Sequence, residues 1–193
     1  MCDLESFLIS NTSSGLLPIG SEWFIDGNNV GNTTNYSGQF DEISDPNTNV
    51  VDHFIQLVVT DVNGCMDTIS ETIHVSMPYA NANYSFNSAS INGAGQYVCP
   101  PVFASLTDTS STYGTITDWD WTFGNGNSSI DQNPDNTYVF AGTYTATLMI
   151  TDEFGCTSDT SFIDYLTIFG PQGELLAKCW RFAILCMNLV RLI

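Results

Sequence analysis

An internal repeat is the feature that most constrains the fold of this chain. Thr60–Cys65 reads Thr-Asp-Val-Asn-Gly-Cys, and Thr151–Cys156, ninety-one positions later, reads Thr-Asp-Glu-Phe-Gly-Cys. Upstream, Cys2 matches Cys99 and Trp23 matches Trp121 at offsets a few residues larger. Offsets drift in this way when loops change length and strands do not. The sequence therefore predicts two copies of one structural unit.

The second copy shows strand periodicity. Trp119, Trp121 and Phe123 alternate with polar residues, and a later run alternates through Tyr144, Ala146, Leu148 and Ile150. A period of two places the apolar side chains on one face of a half-buried strand. We expect further strands over 80–86, over 102–107 and in a last segment ending near Ile168. The expected fold class is all-β.

A glycine-rich turn follows the tryptophan strand. Gly124-Asn125-Gly126 comes directly after Phe123, and Asn-Gly suits a type I′ hairpin turn, in which both central residues need positive φ. The first copy has Trp23-Phe24-Ile25-Asp26-Gly27-Asn28 at this place and has His53 in the place of Tyr144. We predict domains at 1–77 and 78–169, and a tail at 170–193.

Four cysteines belong to the repeat. Four cysteines allow three pairings, and we predict Cys2–Cys65 and Cys99–Cys156, because duplication of a module should copy its bridge. Each bridge would close about sixty residues and contribute roughly 3 to 5 kcal/mol by restricting the unfolded chain. Structural disulfides indicate an oxidising compartment. Since Met1 is followed by no basic or apolar leader stretch, we expect an internal piece of a longer exported protein.

The charge distribution argues against nucleic acid as a partner. All three basic residues lie in the last sixteen positions, and the formal net charge is −18. A body without lysine or arginine cannot displace the counterions of phosphates, so we expect no nucleic-acid binding. The acidic side chains favour a hard cation at most, and Asp118, Asp120 and Asp152 are weak calcium candidates. We otherwise expect these carboxylates to be solvated and the protein to need no cofactor.

Catalytic groups are scarce. His53 and His74 are the two histidines of the chain, and both lie in predicted strands of the first copy with no counterpart in the second. No nucleophile elbow, metalloprotease helix or phosphate-binding loop is present. We therefore expect no enzymatic activity. Trp121 and Phe123 face inward by parity, together with Trp119, which favours core packing over a sugar-binding platform.

The second copy resembles the PKD (polycystic kidney disease) domain family. The motifs are Trp119–Ser129, then Gln132-Asn133-Pro134, then Tyr138–Tyr144. Thr122 and Asn125 stand where the family motif has aspartates, which weakens any site that depends on them. The cysteines and the Asp-x-x-Gly-Cys run resemble the PKD arrays of secreted surface proteins of gliding and related Bacteroidota. The resemblance implies two tandem immunoglobulin-like antiparallel β-sandwiches, with Trp23, Trp121, Phe123, Gly124, Gly126 and Tyr144 as motif and core residues.

The tail after residue 170 has a different chemistry. Its longest uncharged run, 182–190, is far shorter than the roughly 20 residues that span a bilayer, so membrane insertion is not expected. Three interpretations remain open for this apolar and weakly helical segment. It could be an interfacial helix, a segment docked on a partner, or a third repeat cut short or out of frame.

The resemblance also implies a function class. PKD modules act as spacers, adhesive stalks or accessory domains beside secreted hydrolases. The leading hypothesis is a structural or adhesive segment of an extracellular cell-surface protein, in contact with neighbouring repeats and with a protein or glycan ligand. The alternative is an accessory carbohydrate- or protein-binding module of a secreted hydrolase.

Overall fold

The fold is all-β, as the alternating sequence predicted. The computed structural model describes residues 1–3, 5–14, 18–42, 47–88, 90–97 and 99–170, and within these ranges no residue is helical. No helix in the described chain has the length and apolar content needed to cross a membrane. The expected tail helix, with Cys179 and Cys186, lies outside the described residues.

In the described part of the chain, thirteen strands form four antiparallel sheets. The strands of the first repeat are β1 (Ser6–Ser10), β2 (Pro18–Ile25), β3 (Asn28–Gly31), β4 (Asn35–Gln39), β5 (Val50–Asp61) and β6 (Met66–Ser76). Those of the second repeat are β7 (Ala82–Asn87), β8 (Val102–Asp108), β9 (Ile116–Thr122), β10 (Ser128–Ser129), β11 (Asp135–Tyr138), β12 (Gly142–Asp152) and β13 (Thr157–Ile168). The sheet orders are β3-β2-β5-β6 and β1-β4 in the first repeat, and β10-β9-β12-β13 and β11-β8-β7 in the second.

The chain divides into two compact units. Unit 1 comprises Met1–Tyr79, Ser111–Thr117 and Thr151–Ser158, and unit 2 comprises Ala80–Ser110, Asp118–Ile150 and the chain from Asp159. The predicted domain boundaries stay a prediction. Two segments of the second repeat, 111–117 and 151–158, belong to unit 1, and each contains a turn with the strand ends beside it.

The core of unit 1 is a single apolar cluster. Phe7 and Ile9 of β1 pack against it as partly buried side chains, which places the two-stranded sheet over the four-stranded one. Burying each large apolar side chain contributes about 1.5–3 kcal/mol. The buried members of the cluster are Trp23, Phe40, Ile55, Leu57, Val75 and Met77.

The core of unit 2 follows the alternation read from the sequence. In β12, Ala146, Leu148 and Ile150 are fully buried, and Met149 between the last two is exposed. Contacts between the two sheets close the sandwich. The Tyr138 hydroxyl of β11 donates to the Phe123 carbonyl oxygen at 2.9 Å, and the ring of Tyr84 in β7 meets Tyr165 in β13 edge-on at 5.3 Å.

The turn after β9 differs from the expected type I′ hairpin. Gly124 and Gly126 have φ of 73° and 91°, whereas Asn125 between them is not at positive φ. The Phe123 N–H donates to the Asn127 carbonyl at 3.2 Å and closes a three-residue loop. A type I′ turn has two residues in its loop, so the extra residue here rules that turn out. The Asn125 side chain also links the loop to β11, with its Nδ2 donating to the Thr137 carbonyl at 3.1 Å.

Candidate functional site

The repeated Thr-Asp-x-x-Gly-Cys run forms the same tight turn in both hairpins. Asp61 Oδ1 accepts from the N–H groups of Asn63 and Cys65, each at 2.8 Å. Gly64 supplies the positive φ of 80° that the turn needs. These bonds, led by the one from Cys65, lower the pKa of Asp61. The motif is therefore a structural turn, in which the aspartate fixes the backbone.

The turn at Asp152 carries a further network. Asp152 Oδ1 accepts from the N–H of Phe154 at 2.9 Å and from the N–H of Cys156 at 2.8 Å. Its Oδ2 accepts from the Ser76 hydroxyl at 2.6 Å and the Thr112 hydroxyl at 3.0 Å. The residue is 2% exposed. Four donors thus surround one buried carboxylate, as burial of a charge requires.

These four bonds and one disulfide make up a group that we call the Asp152 clamp. Cys2 is bonded to Cys156, with their Cα atoms 5.1 Å apart. The residues of the clamp all belong to unit 1 and are Cys2, Ser76, Thr112, Asp152, Phe154 and Cys156. It joins residues that are 154 positions apart in the sequence.

The Cys2–Cys156 bond shows that the predicted pairs Cys2–Cys65 and Cys99–Cys156 are wrong. Cys2 lies beside Ser76 at the end of β6, and Cys65 lies in the turn at the opposite end of the β5–β6 hairpin. Ten residues of strand separate these ends, which is about 33 Å at 3.3 Å per residue. Disulfides need Cα atoms within about 7 Å, so Cys2 cannot reach Cys65. Cys65 is instead an exposed thiol.

The calcium candidates do not form one site. Asp118 and Asp120 are exposed on β9 in unit 2, whereas Asp152 is buried in unit 1. Both oxygens of Asp152 already accept two hydrogen bonds each. Among the residues that the structure describes, no three or more His, Cys, Asp or Glu side chains are grouped to hold a metal ion.

His53 forms a hydrogen-bonded cluster with two carboxylates that the sequence did not reveal. Its Nδ1 lies 2.8 Å from Asp26 Oδ2 and its Nε2 lies 3.1 Å from Glu42 Oε1. The ring stacks on Phe40 with centroids 3.7 Å apart. The hydrogen bond to His53 is the main cause of a lowered pKa for Asp26. The cluster ties the β2–β3 turn and the segment after β4 to the core.

The six motif positions have separate structural roles. Trp23 is buried and its indole N–H donates to the Thr33 carbonyl at 3.0 Å, and Trp121 and Phe123 are buried in the core of unit 2. A side chain at Gly124 would place its Cβ 2.5 Å from the Thr145 carbonyl oxygen, so this position excludes other residues. The space at Gly126 is open, but its φ of 91° favours glycine.

Tyr144, the sixth motif position, and Trp119, which precedes Trp121 on the same strand face, are both half-buried. The Tyr144 hydroxyl donates to the Phe140 carbonyl at 2.9 Å, and its ring packs on Tyr138 at 4.4 Å. Trp119 donates from its indole N–H to Asp108 Oδ2 at 2.9 Å.

Comparison with known proteins agrees with the resemblance of the second repeat to the PKD domain family. Residues 92–168 match the family model of the PKD domain. This match covers less than half of the chain. It includes the motif residues Trp121, Phe123, Gly124, Gly126 and Tyr144.

Solved structures of similar chains include two PKD domains. The PKD1 domain of Vibrio anguillarum Epp is 26% identical over 49% of this chain and 95% of that one, with a TM-score of 0.36. The PKD1 domain of the Vibrio cholerae metalloprotease PrtV is 24% identical over 47% of this chain and 98% of that one, with a TM-score of 0.36. The fibronectin(III)-like modules of Clostridium thermocellum CbhA are 12% identical over 90% of this chain and 89% of that one, with a TM-score of 0.38.

Proposed function

We propose that this chain is a non-catalytic spacer segment of an exported cell-surface protein and that the Asp152 clamp makes it resist extension. The PKD match over 92–168 supports a module of this class. A disulfide is most stable in an oxidising environment outside the cytosol, which supports export. The observation that carries the proposal is the position of the Cys2–Cys156 bond.

The bond determines which part of the chain carries a pulling force. Tension applied at Met1 reaches Cys2 and passes directly through the disulfide to Cys156. The residues between the two cysteines are then shielded, because they form a closed loop of covalent bonds. A spacer with this connectivity keeps its length under load even when the weaker bonds of the loop open.

Single-molecule pulling tests the proposal on the whole chain. With handles at the two termini, the oxidised protein should release only the residues outside the loop. After reduction, the 154-residue loop should add about 500 Å of extension, at 3.3–3.6 Å per residue. The variant Cys156→Ser should behave like the reduced protein, and Cys65→Ser should behave like the oxidised wild type. Equal extensions before and after reduction would exclude the proposed mechanism.

A role as an interaction module is supported by an aromatic hollow in unit 1. A cavity of about 220 Å³ is lined by Met1, Ile73, His74, Ser76, Tyr113 and Phe154. Tyr113 and Phe154 are 47% and 48% exposed, and the Tyr113 ring stacks on both His74 and Phe154. Exposed aromatic rings of this kind bind apolar faces of glycans and proteins.

A binding screen distinguishes the two roles. An array of glycans and extracellular matrix proteins is probed with the wild type, with Tyr113→Ala and with Phe140→Ala. Phe140 is the matched control because it is 74% exposed and belongs to unit 2. Binding that is lost in Tyr113→Ala but kept in Phe140→Ala would support a role as an interaction module. That result would fit both a surface protein and an accessory module of a secreted hydrolase. Absence of any binding would leave the spacer as the function.

A further inference from the structure

Three aromatic rings of unit 1, those of His74, Tyr113 and Phe154, form a group that we call the ring row. The Tyr113 ring lies between the other two, with centroid distances of 5.8 Å to His74 and 6.1 Å to Phe154 and interplanar angles of 20° and 24°. Such distances are those of offset stacking, in which ring faces overlap only in part. Since Tyr113 and Phe154 are about half exposed, the ring row offers ring faces to a ligand.

Each end of the ring row has a carboxylate beside it. At one end, Asp52 Oδ1 lies 2.6 Å from His74 Nδ1, and the Asp52 side chain is 56% exposed. At the other end, the exposed Glu153 directly precedes Phe154. A Cβ at Gly114 would collide with the Glu153 carboxylate and would lie 3.0 Å from the Phe154 ring, so both groups pack against this backbone. A ligand on the rings would therefore meet negative charge on two sides.

The charge of the chain favours a cationic ligand at these rings. The formal net charge is −18, and no lysine or arginine occurs before Lys178. Aromatic ring faces attract cations, and the two carboxylates make the local potential more negative. An anionic ligand is repelled by this surface, and a neutral sugar gains nothing from the net charge. The ring row is therefore complementary in charge to a cation.

We propose that the ring row binds an arginine side chain of a partner protein, an inference that rests on the role of unit 1 as an interaction module. A guanidinium is planar and stacks on aromatic faces, and its fixed fork of N–H donors suits carboxylate acceptors. Stacked on Tyr113, it would have Asp52 on one side and Glu153 on the other. Lysine fits less well, because its ammonium is a compact and strongly hydrated charge.

Peptide titrations on the full chain test the ligand class. A short peptide with arginine as its one charged residue is compared with the same peptide carrying citrulline, which keeps the side-chain shape and lacks the charge. Binding is measured by NMR at about 0.15 M salt, where non-specific attraction to the acidic surface is screened. The arginine peptide should bind at least about tenfold more tightly. Equal affinities for the two peptides would overturn the proposal.

A pair of aromatic variants locates the site. Tyr113→Ala should weaken arginine binding at least about fivefold, whereas Phe140→Ala, which removes an exposed ring of unit 2, should not. If Tyr113→Ala abolishes binding of a neutral glycan and the arginine peptide does not bind, the interaction module stands and the arginine proposal is wrong. If neither glycan, matrix protein nor arginine peptide binds in a Tyr113-dependent way, both are wrong.

A pair of charge variants tests the two carboxylates. Asp52→Asn combined with Glu153→Gln keeps an oxygen acceptor at each position and removes two negative charges. This double variant should lower the preference for arginine over citrulline to about threefold or less. Asp118→Asn combined with Asp120→Asn removes the same charge from unit 2 and should leave the preference unchanged. An equal fall in both double variants would show attraction to the net charge alone and would contradict the site.

Two further changes address cations of the chain itself. The Met1 ammonium donates to the His74 carbonyl at 3.0 Å, and N-terminal acetylation removes its charge. Acetylation should tighten arginine binding, and weaker binding would argue against a cation site. Replacing Arg181 and Arg191 together with glutamine should leave the affinity unchanged. A rise in affinity for the arginine peptide in that variant would overturn the proposal, because the chain's own tail would then be the occupant.

Discussion

Asp152 and Asp61 occupy the same position in the two repeats and differ only in their surroundings. Both accept two backbone N–H groups, but Asp152 also accepts from Ser76 and Thr112 in a buried setting. A carboxylate in a satisfied buried network contributes more than an exposed one, because its loss leaves several donors unpaired. This pair of residues therefore offers an internally controlled measurement.

Replacing Asp152 with alanine should destabilise the protein more than replacing Asp61 with alanine. Both variants lose the acceptor of the turn, so the difference isolates the Ser76 and Thr112 hydroxyls. We expect a difference of about 1–3 kcal/mol in the free energy of unfolding, measured by urea titration. Equal losses in the two variants would show that the network adds no stability.

The Asp26–His53 pair predicts a pH dependence with a defined sign. The pKa of Asp26 is lowered in the folded state, chiefly by the hydrogen bond to His53. Its stabilising contribution is therefore present above the unfolded value of about 3.9 and is lost as pH falls through the folded value. The contribution is at most about 1 kcal/mol, because Asp26 is 45% exposed and screened by water.

The variant Asp26→Asn tests this sign. Asparagine tolerates the φ of 50° at this position, so the backbone is conserved while the charge is removed. We expect the variant to be less stable than the wild type at pH 6, and the difference to shrink as the pH falls below about 4, by thermal melts at pH 6 and pH 3. A gap that widens at pH 3 would contradict the assignment.

The strands and turns could be predicted from local sequence patterns. The cysteine pairs and the hydrogen-bond partners of Asp152 could not, because they join residues far apart in the chain. The alternation of Ala146, Leu148 and Ile150 fixes the buried face of β12, and the Asp-x-x-Gly-Cys run fixes both hairpin turns. The cysteine pairs were predicted wrongly because sequence offsets show that Cys65 and Cys156 are equivalent but do not show where each hairpin ends in space. The partners of Asp152 lie 76 and 40 positions away and carry no local signal.

The β5–β6 hairpin and the β12–β13 hairpin should respond differently to loss of their cysteines. Cys156→Ser removes the Cys2–Cys156 bond and should cost roughly 2–5 kcal/mol of unfolding free energy. Cys65→Ser changes an exposed thiol and should alter stability by less than about 0.5 kcal/mol. Urea titration under oxidising conditions compares them, and a loss in Cys65→Ser as large as in Cys156→Ser would argue against the structure's pairing.

At the scale of the whole molecule, one covalent link determines how the chain responds to tension. The disulfide closes a loop of 154 positions, and both the resistance to extension and the stability of the Asp152 clamp rest on it. The pattern predicted from the repeat would instead give two separate loops, one in each copy. A chain with two separate loops would still extend between them under tension.

A disulfide map of the unreduced protein tests this link most directly. The chain has no lysine or arginine before Lys178, so trypsin leaves all four cysteines on one fragment, whereas cleavage after glutamate places each on its own fragment. The four fragments are 1–5, 43–71, 72–153 and 154–174. We predict that mass spectrometry finds 1–5 joined to 154–174. Fragment 1–5 joined to 43–71, or 72–153 joined to 154–174, would contradict the account.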